Sequence, residues 1–208
     1  MHLALAPGEE LLPGTRERLE ELFHDARVAA VLVPLVPRGE GALQRAARRY
    51  LAAWDGRFLH PQNFFAPATR VATRSRSEGA DALPASAARA HVAGPRNADA
   101  APQLADALAR GLRIEALRAG GVGCDIARDL SAWSSHWRAE GAAWGARAAS
   151  EPEFARFAPA PWAKHNVAQL GRRTVEILQA SRRPDPLVWL LHVTRESAYS
   201  RGTPTTIG

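Results

Sequence analysis

The sequence predicts an α/β fold, in which helices flank a mixed sheet. Short apolar runs alternate with amphipathic stretches, which is the pattern of strands and helices that pack in layers. Residues 27–37, "RVAAVLVPLVP", form a continuous β-branched run, as expected of a strand buried on both faces. Residues 41–56 place their arginines off an apolar stripe and are predicted to form a helix.

The first predicted elements are a strand at 2–6, a loop and a helix at 15–26. Thr15 is the expected N-cap of that helix, because a threonine hydroxyl can accept an early backbone N–H. The apolar strand follows. Its two prolines place its end near the edge of the sheet, since proline cannot donate to a strand ladder.

The middle of the chain contains the helix at 41–56 and then less regular sequence. Aromatic residues broken by prolines at 56–74 indicate short strands and a loop. Residues 74–101 are small, polar and rich in Ala, Pro and Gly, which predicts a mobile segment.

Helical patterns dominate the rest of the chain. A helix is predicted from Pro102, in its first turn, to a C-terminal cap at Gly111, and a strand follows it. Long helices are predicted at 129–149 and 160–181. The tail after Pro184 ends in the polar stretch "SRGTPTTIG", which is expected to fray.

The net charge of +6 comes almost entirely from arginine, because Lys164 is the only lysine. One interpretation of this composition is a GC-rich coding bias. The alternative is an arginine surface that binds phosphate, carboxylate or an acidic peptide. Acidic residues are interspersed among the arginines, which disfavours nucleic acid as a partner.

Cys124 is the only cysteine, so no intramolecular disulfide can form, which fits a reducing cytoplasm. The N-terminus lacks the basic region of a signal peptide, and no run reaches the roughly 18 apolar residues of a membrane helix. We therefore expect a cytoplasmic protein with no membrane partner. The cysteine and the histidines match no zinc spacing, and no phosphate-cradling glycine loop occurs, so no metal or other cofactor is predicted.

Four stretches carry motifs in a recognisable order. Residues 3–43, "LALAPGEELLPGTRERLEELFHDARVAAVLVPLVPRGEGAL", resemble a strand, a metal-binding turn, a "P-G" step, a helix and a strand of the type "dprVaaV". "NFFAPATRV" resembles an "N-x-A-v-R-R" strand, and "NADAAPQLADALARGLRI" resembles "E-D-x-D-L-x-x-R-L-x-x-x-G-x-R-I". "DLSAWSSHWRAEGAAWGARAA" resembles an acceptor-side helix. Together they resemble the C-terminal half of a family 2 glycosyltransferase, with a GT-A-type, Rossmann-like fold.

The resemblance implies that residues 1–150 are a truncated, degenerate glycosyltransferase-like domain and that 151–208 are a C-terminal helical extension with a frayed tail. The family's metal-binding D-x-D falls at Ala6–Gly8, where no side chain can ligate a cation. Asp99 stands at one carboxylate of the family's "E-D", and Ala100 stands where the general base would be.

Candidate ligand-binding residues come from the segments that face the ligand in the resembled fold. The tryptophans of the 129–149 helix are most simply core residues, and the alternative is that they line an acceptor groove. The candidates are Asn63, Phe64, Phe65, Asp99, Trp133, His136, Trp137 and Arg138.

The sequence favours a non-catalytic binding or accessory protein, a pseudoenzyme that holds a peptide, a partner enzyme or a natural-product intermediate. The Ala/Arg-rich composition points to a bacterial biosynthetic pathway. The alternative is an enzyme, a divergent family 2 glycosyltransferase that needs a partner for nucleotide-sugar binding and uses Glu9, Glu10 and Asp99. An inert structural subunit is a third interpretation.

A half-fold also predicts a partner. A sheet without its first strands presents unpaired N–H and C=O groups at one edge, and such an edge pairs with another chain. We therefore expect a homodimer, or a partner protein that covers the sheet edge. The same edge could bind an extended peptide by strand addition.

Overall fold

The computed structural model describes residues 1–58, 69–73, 97–151, 175 and 185–203. Within them, a mixed sheet of six strands is accompanied by five helices, which confirms the predicted α/β class. The strands are β1 (His2–Leu3), β2 (Glu10–Leu11), β3 (Val28–Pro37), β4 (Thr69–Thr73), β5 (Arg113–Ala116) and β6 (Val122–Cys124). The helices are α1 (Thr15–Phe23), α2 (Ala42–Phe58), α3 (Asn97–Ala109), α4 (Leu130–Ser150) and α5 (Pro186–Gly202).

The described strands follow the order β1-β4-β3-β6-β2, and β5 lies beside β3. β4 is antiparallel to both β1 and β3, whereas β5 runs parallel to β3. β2 is antiparallel to β6.

β3 lies at the centre of this sheet, and its burial confirms the predicted two-faced strand. The expectation that it ends near the sheet edge was wrong. β3 pairs with β4 and with β5, and Pro34 lies beyond Leu32, the last residue that pairs with β5.

Thr15 does not cap α1, contrary to prediction. Gly14 is the N-cap, and no side chain bonds to the first turn. The buried Thr15 hydroxyl instead accepts the N–H of Gly121 at 3.0 Å and donates to its carbonyl at 3.2 Å. Thr15 therefore links α1 to the turn that precedes β6.

α3 begins at Asn97, before the predicted start at Pro102, and ends as predicted. Gly111 adopts a φ of 70°, and Leu112 N–H donates to the carbonyl of Ala107. This left-handed C-terminal turn suits glycine and leads directly into β5.

Two other predicted segments fall mostly outside the described residues. They are the mobile segment predicted at 74–101, whose residues 97–101 form the start of α3 instead, and the helix at 160–181, of which only Val175 is described. α5 was not predicted, because its residues were treated as the beginning of a tail. Asp185 caps it by accepting the N–H of Leu187 at 2.9 Å, and Pro186 occupies its first turn.

The chain divides into two compact units that alternate along the sequence. The first consists of Met1–Leu35 and Pro67–Gly123, and the second of Val36–Ala66 and Cys124–Gly208. The domain boundary at residue 150 stays a prediction.

None of the helices in the described ranges is both long and apolar enough to cross a membrane.

In the second unit, α2, α4 and α5 pack together around large aromatic side chains. Tyr50, Trp133, Trp137 and Trp144 are each at most 1% exposed. The predicted apolar stripe of α2 is confirmed at its central positions, where Tyr50 and its neighbours Ala46, Ala47 and Leu51 are buried.

α4 and α5 approach each other closely at two glycines. A Cβ on Gly141 would overlap the carbonyl oxygen of Tyr199, and a Cβ on Gly202 would overlap the carbonyl oxygen of Arg138. Because backbone atoms cannot swing aside as a side-chain end does, these contacts require the absence of a side chain.

We expect Gly141→Ala to destabilise the protein by about 1–3 kcal/mol, the range for overpacking. This is opposite to the gain of about 1 kcal/mol that alanine normally gives over glycine in a helix. Denaturant unfolding measures the difference. The exposed Ser135→Ala on the same helix is the control and should change stability by less than about 0.5 kcal/mol. A Gly141→Ala variant as stable as the parent protein would contradict the close crossing.

Candidate functional site

The loop between β1 and β2 holds the position of the expected metal-binding turn. It is a tight turn in which Gly8 has a φ of 81° and Glu9 N–H donates to the carbonyl of Ala6 at 3.0 Å. The Glu9 side chain folds back over the turn, and its Oε2 accepts the N–H of Ala6 at 2.8 Å.

The Glu9 carboxylate is bound by Arg70 of β4. Arg70 Nε donates to Oε2 at 3.0 Å and Nη2 donates to Oε1 at 2.5 Å, so the guanidinium contacts both oxygens. The two side chains are only 4% and 5% exposed. Bidentate pairing of this kind holds both planar groups in a fixed orientation. The carboxylate nearest the turn is therefore already neutralised within the protein.

α3 carries the position expected for a general base. Ala100 is buried there, 4% exposed, on the same face as Leu104 and Ala107. Asp99 contributes only its backbone to the described part of the chain, and Asp106 pairs with Arg110 at 3.7 Å on the surface. The described face of α3 is thus apolar where it meets the core.

The described residues contain no group of three or more His, Cys, Asp or Glu side chains that could hold a metal ion. Glu10, the acidic residue that follows the first loop at the start of β2, is exposed. Asn63, Phe64 and Phe65 lie outside the described residues.

The remaining four candidates lie on α4 in the second unit, but they do not share a surface. Trp133 and Trp137 are buried in the core, His136 is half-buried and Arg138 is exposed. Trp133 Nε1 donates to the carbonyl of Leu191 at 2.9 Å, and its ring meets Trp137 edge to face at a centroid distance of 5.4 Å. His136 also meets Trp137 edge to face, at 4.9 Å.

A buried polar cluster, which the sequence did not predict, lies between α2, α4 and α5. We call it the α5 polar cluster, and all its members are at least 96% buried. They are Tyr50, Glu140, His192, Arg195, Glu196 and Tyr199. Charged side chains are almost never buried to this extent unless they are paired.

Hydrogen bonds run through this cluster from Arg195. Its guanidinium donates to Glu196 and to the phenol oxygen of Tyr50. Tyr50 Oη lies 3.2 Å from His192 Nδ1. The histidine tautomer decides which of these two groups donates the hydrogen bond.

The surroundings of Arg195 and Tyr199 determine whether each side chain is charged. Burial alone would lower the pKa of Arg195, but Tyr50, Glu196 and Tyr199 raise it above its ordinary value, so the guanidinium stays charged. It also lies 4.8 Å from the ring centroid of Trp137, as in a cation–π contact. Burial raises the pKa of Tyr199, so its phenol stays neutral.

Two buried donors in this region, Trp137 Nε1 and Tyr199 Oη, have no hydrogen-bond partner among the described residues. The cluster was not predicted, because "TRES" at 194–197 lies in the segment after Pro184 that was treated as a tail. The usable signal was the Asp-Pro start at 185–186, which marks a helix N-terminus followed by apolar residues at helical spacing.

Comparisons of the chain with protein-family models, with curated proteins and with solved structures found no match.

We expect Arg70→Met to lower the free energy of unfolding by about 3–5 kcal/mol, because it leaves the Glu9 carboxylate buried without its counter-charge. The double variant Glu9→Gln/Arg70→Met should recover most of this loss. Denaturant unfolding of the two single variants and the double variant measures the coupling. Arg110→Met, which breaks the exposed pair with Asp106, is the control and should cost less than about 1 kcal/mol. Additive single effects would contradict the buried pair.

We expect Tyr50→Phe to destabilise the protein by about 1–3 kcal/mol. The reason is that the buried side chains of Arg195 and His192 each lose a hydrogen bond to the Tyr50 hydroxyl. Tyr199→Phe removes the same atom from a tyrosine whose hydroxyl has no described partner, and it should be neutral or stabilising. Thermal and denaturant unfolding compare the two variants. A larger loss in Tyr199→Phe than in Tyr50→Phe would overturn the assigned network.

Proposed function

We propose that this chain is a non-catalytic binding or accessory protein built on a degenerate glycosyltransferase-like scaffold. It holds a peptide, a partner enzyme or a natural-product intermediate in a biosynthetic pathway. The observation that supports this best is the buried ion pair between Glu9 and Arg70.

Sugar transfer in the resembled family uses a divalent cation to hold the diphosphate of the donor. A cation of that kind needs several oxygen ligands. In this loop, Ala6, Pro7 and Gly8 offer no side-chain oxygen, and both oxygens of Glu9 already accept hydrogen bonds. A cation would have to displace the guanidinium of Arg70 from a buried site, which favours a loop that has lost metal binding.

The position at which the resembled family carries its general base supports the same proposal. A general base must accept a proton from the acceptor hydroxyl, and the methyl group of Ala100 cannot do so. Ala100 also packs into the core with Leu104, so it has a structural role in this helix.

The open edge of β5 supports a binding role. β3 is the only neighbour of β5 among the described strands. The N–H groups of Arg113 and Leu117 donate to β3, so alternation along the strand turns the N–H groups of Ile114 and Ala116 to the other edge. We assign this edge to a strand from a second copy of the chain or from a partner protein, and an extended peptide is the smallest ligand that could add there.

The alternative is a divergent glycosyltransferase that works with a nucleotide-binding partner. It requires Glu9 to exchange Arg70 for a metal ion, with Glu10 and Asp99 in supporting roles. The two proposals therefore differ in one measurable property, which is whether a nucleotide sugar binds in a metal-dependent way.

We expect calorimetric titration with UDP-glucose to give the same absence of saturable heat with and without manganese. The reason is that the cation needs several oxygen ligands, whereas the Glu9 carboxylate is bound by Arg70 and Glu10 is a single exposed carboxylate. Glu10→Gln is the matched variant, since it removes the exposed acidic residue and leaves the buried pair intact. Manganese-dependent binding that is lost in Glu10→Gln would overturn the proposal in favour of the enzyme.

A further inference from the structure

A depression lined by three arginines lies on α2, in the second unit. It has a volume of about 460 Å³, and the described residues that line it are Arg45, Arg48 and Arg49. These residues are spaced at i, i+3 and i+4, which places their Cβ atoms about 5–6 Å apart on one helix face. Guanidinium groups at this spacing can converge on a single anion.

Each guanidinium is held in place by an acceptor on the rim. Arg48 Nη1 donates to the carbonyls of Pro37 and Gly39 at 2.9 and 2.7 Å, and Arg45 donates to the carbonyl of Glu40. Arg49 donates to Asp185 at 2.6 Å, and Asp185 is itself fixed as the N-cap of α5. Fixed donors bind a ligand with less loss of side-chain entropy than freely rotating ones.

These hydrogen bonds engage only some of the N–H donors of the three guanidinium groups. A guanidinium has five N–H groups, and the described acceptors engage at most three of them on any of the three arginines. The remaining N–H groups match the several acceptor oxygens of a phosphate, which arginine recognises in a bidentate manner.

The start of α2 adds to the positive potential. Its first turn contains Arg45 and no acidic residue, although a helix N-terminus favours acidic side chains. Two carboxylates lie nearby. Glu40 is 88% exposed and only 3.4 Å from Arg48, whereas Asp185 is largely buried and committed to its cap. Glu40 can swing into solvent when an anion binds, but its negative charge beside Arg48 still opposes binding.

We propose that this depression binds a phosphate dianion, either free phosphate or the phosphate group of a small monoester. Its volume falls within the range of small-molecule sites. The proposal is independent of the function proposed for the first unit, because it uses neither the first loop nor the edge of β5.

Calorimetric titration of the whole chain with inorganic phosphate and with glycerol phosphate tests the proposal. We expect saturable 1:1 binding of at least one of them, with a Kd of about 1 mM or tighter. Tighter binding of glycerol phosphate assigns the site to monoesters, and tighter binding of inorganic phosphate assigns it to the free ion. A hexaglutamate peptide is the third titrant, and tighter binding of this peptide than of either phosphate would overturn the proposal.

Variants locate the binding. Arg45→Ala and Arg49→Ala should each weaken phosphate binding about tenfold or more, the loss of one charge-assisted hydrogen bond. Glu40→Gln should strengthen it, because it removes a competing carboxylate and no donor. Arg16→Ala removes an exposed arginine from α1, in the other unit, and should leave binding unchanged.

No saturable phosphate binding in the parent protein would overturn the site. Equal weakening in Arg16→Ala and Arg45→Ala would also overturn it, because the effect would then follow net charge. Circular dichroism checks that each variant is folded. Should an alanine variant unfold, Glu40→Gln decides alone, and unchanged or weaker binding in that variant would count against the site.

Discussion

The ion pair between Glu9 and Arg70 constrains the part of the protein on which its proposed function depends. It holds the first loop against β4. The two opposite charges are buried within hydrogen-bonding distance of each other. Such a pair contributes modestly to net stability, since desolvation opposes the attraction, but either partner alone would be costly to bury. The loop is therefore held in a conformation that needs no added cation. A protein whose loop had to accept a metal from solvent would gain from the opposite arrangement, with accessible and unpaired oxygens.

The second unit uses buried charge differently. Arg195 lies beside the ring of Trp137, the carboxylate of Glu196 and two tyrosine phenols, so its charge interacts with several partners. The aromatic side chains supply most of the buried volume, and the polar atoms among them restrict how those rings can be arranged. A purely apolar core tolerates several arrangements of its side chains, whereas a hydrogen-bond network through Tyr50 is compatible with one arrangement. We interpret the α5 polar cluster as a determinant of helix arrangement.

The sequence predicted the elements whose signals are local. The apolar run of β3, the stripe of α2 and the glycine after α3 each depend on neighbouring residues, and each was confirmed. The errors concern distant partners. Thr15 was expected to cap its own helix, but a turn more than a hundred residues away takes its hydroxyl. The central position of β3 and the burial of Arg195 likewise depend on which segments pack against them, and no periodicity reports that. For the candidate site, the missing carboxylates of the first loop were readable from residue types, but the role of Arg70 was not.

The reciprocal glycine contacts between α4 and α5 have a consequence for how this protein can vary. Because the backbone of each helix occupies the space above a glycine of the other, inserting or deleting a single residue in either helix would rotate a side chain into that space. The two helices are therefore locked in phase, and length changes in this unit are tolerable only in pairs that preserve the alignment or in the connections outside both helices.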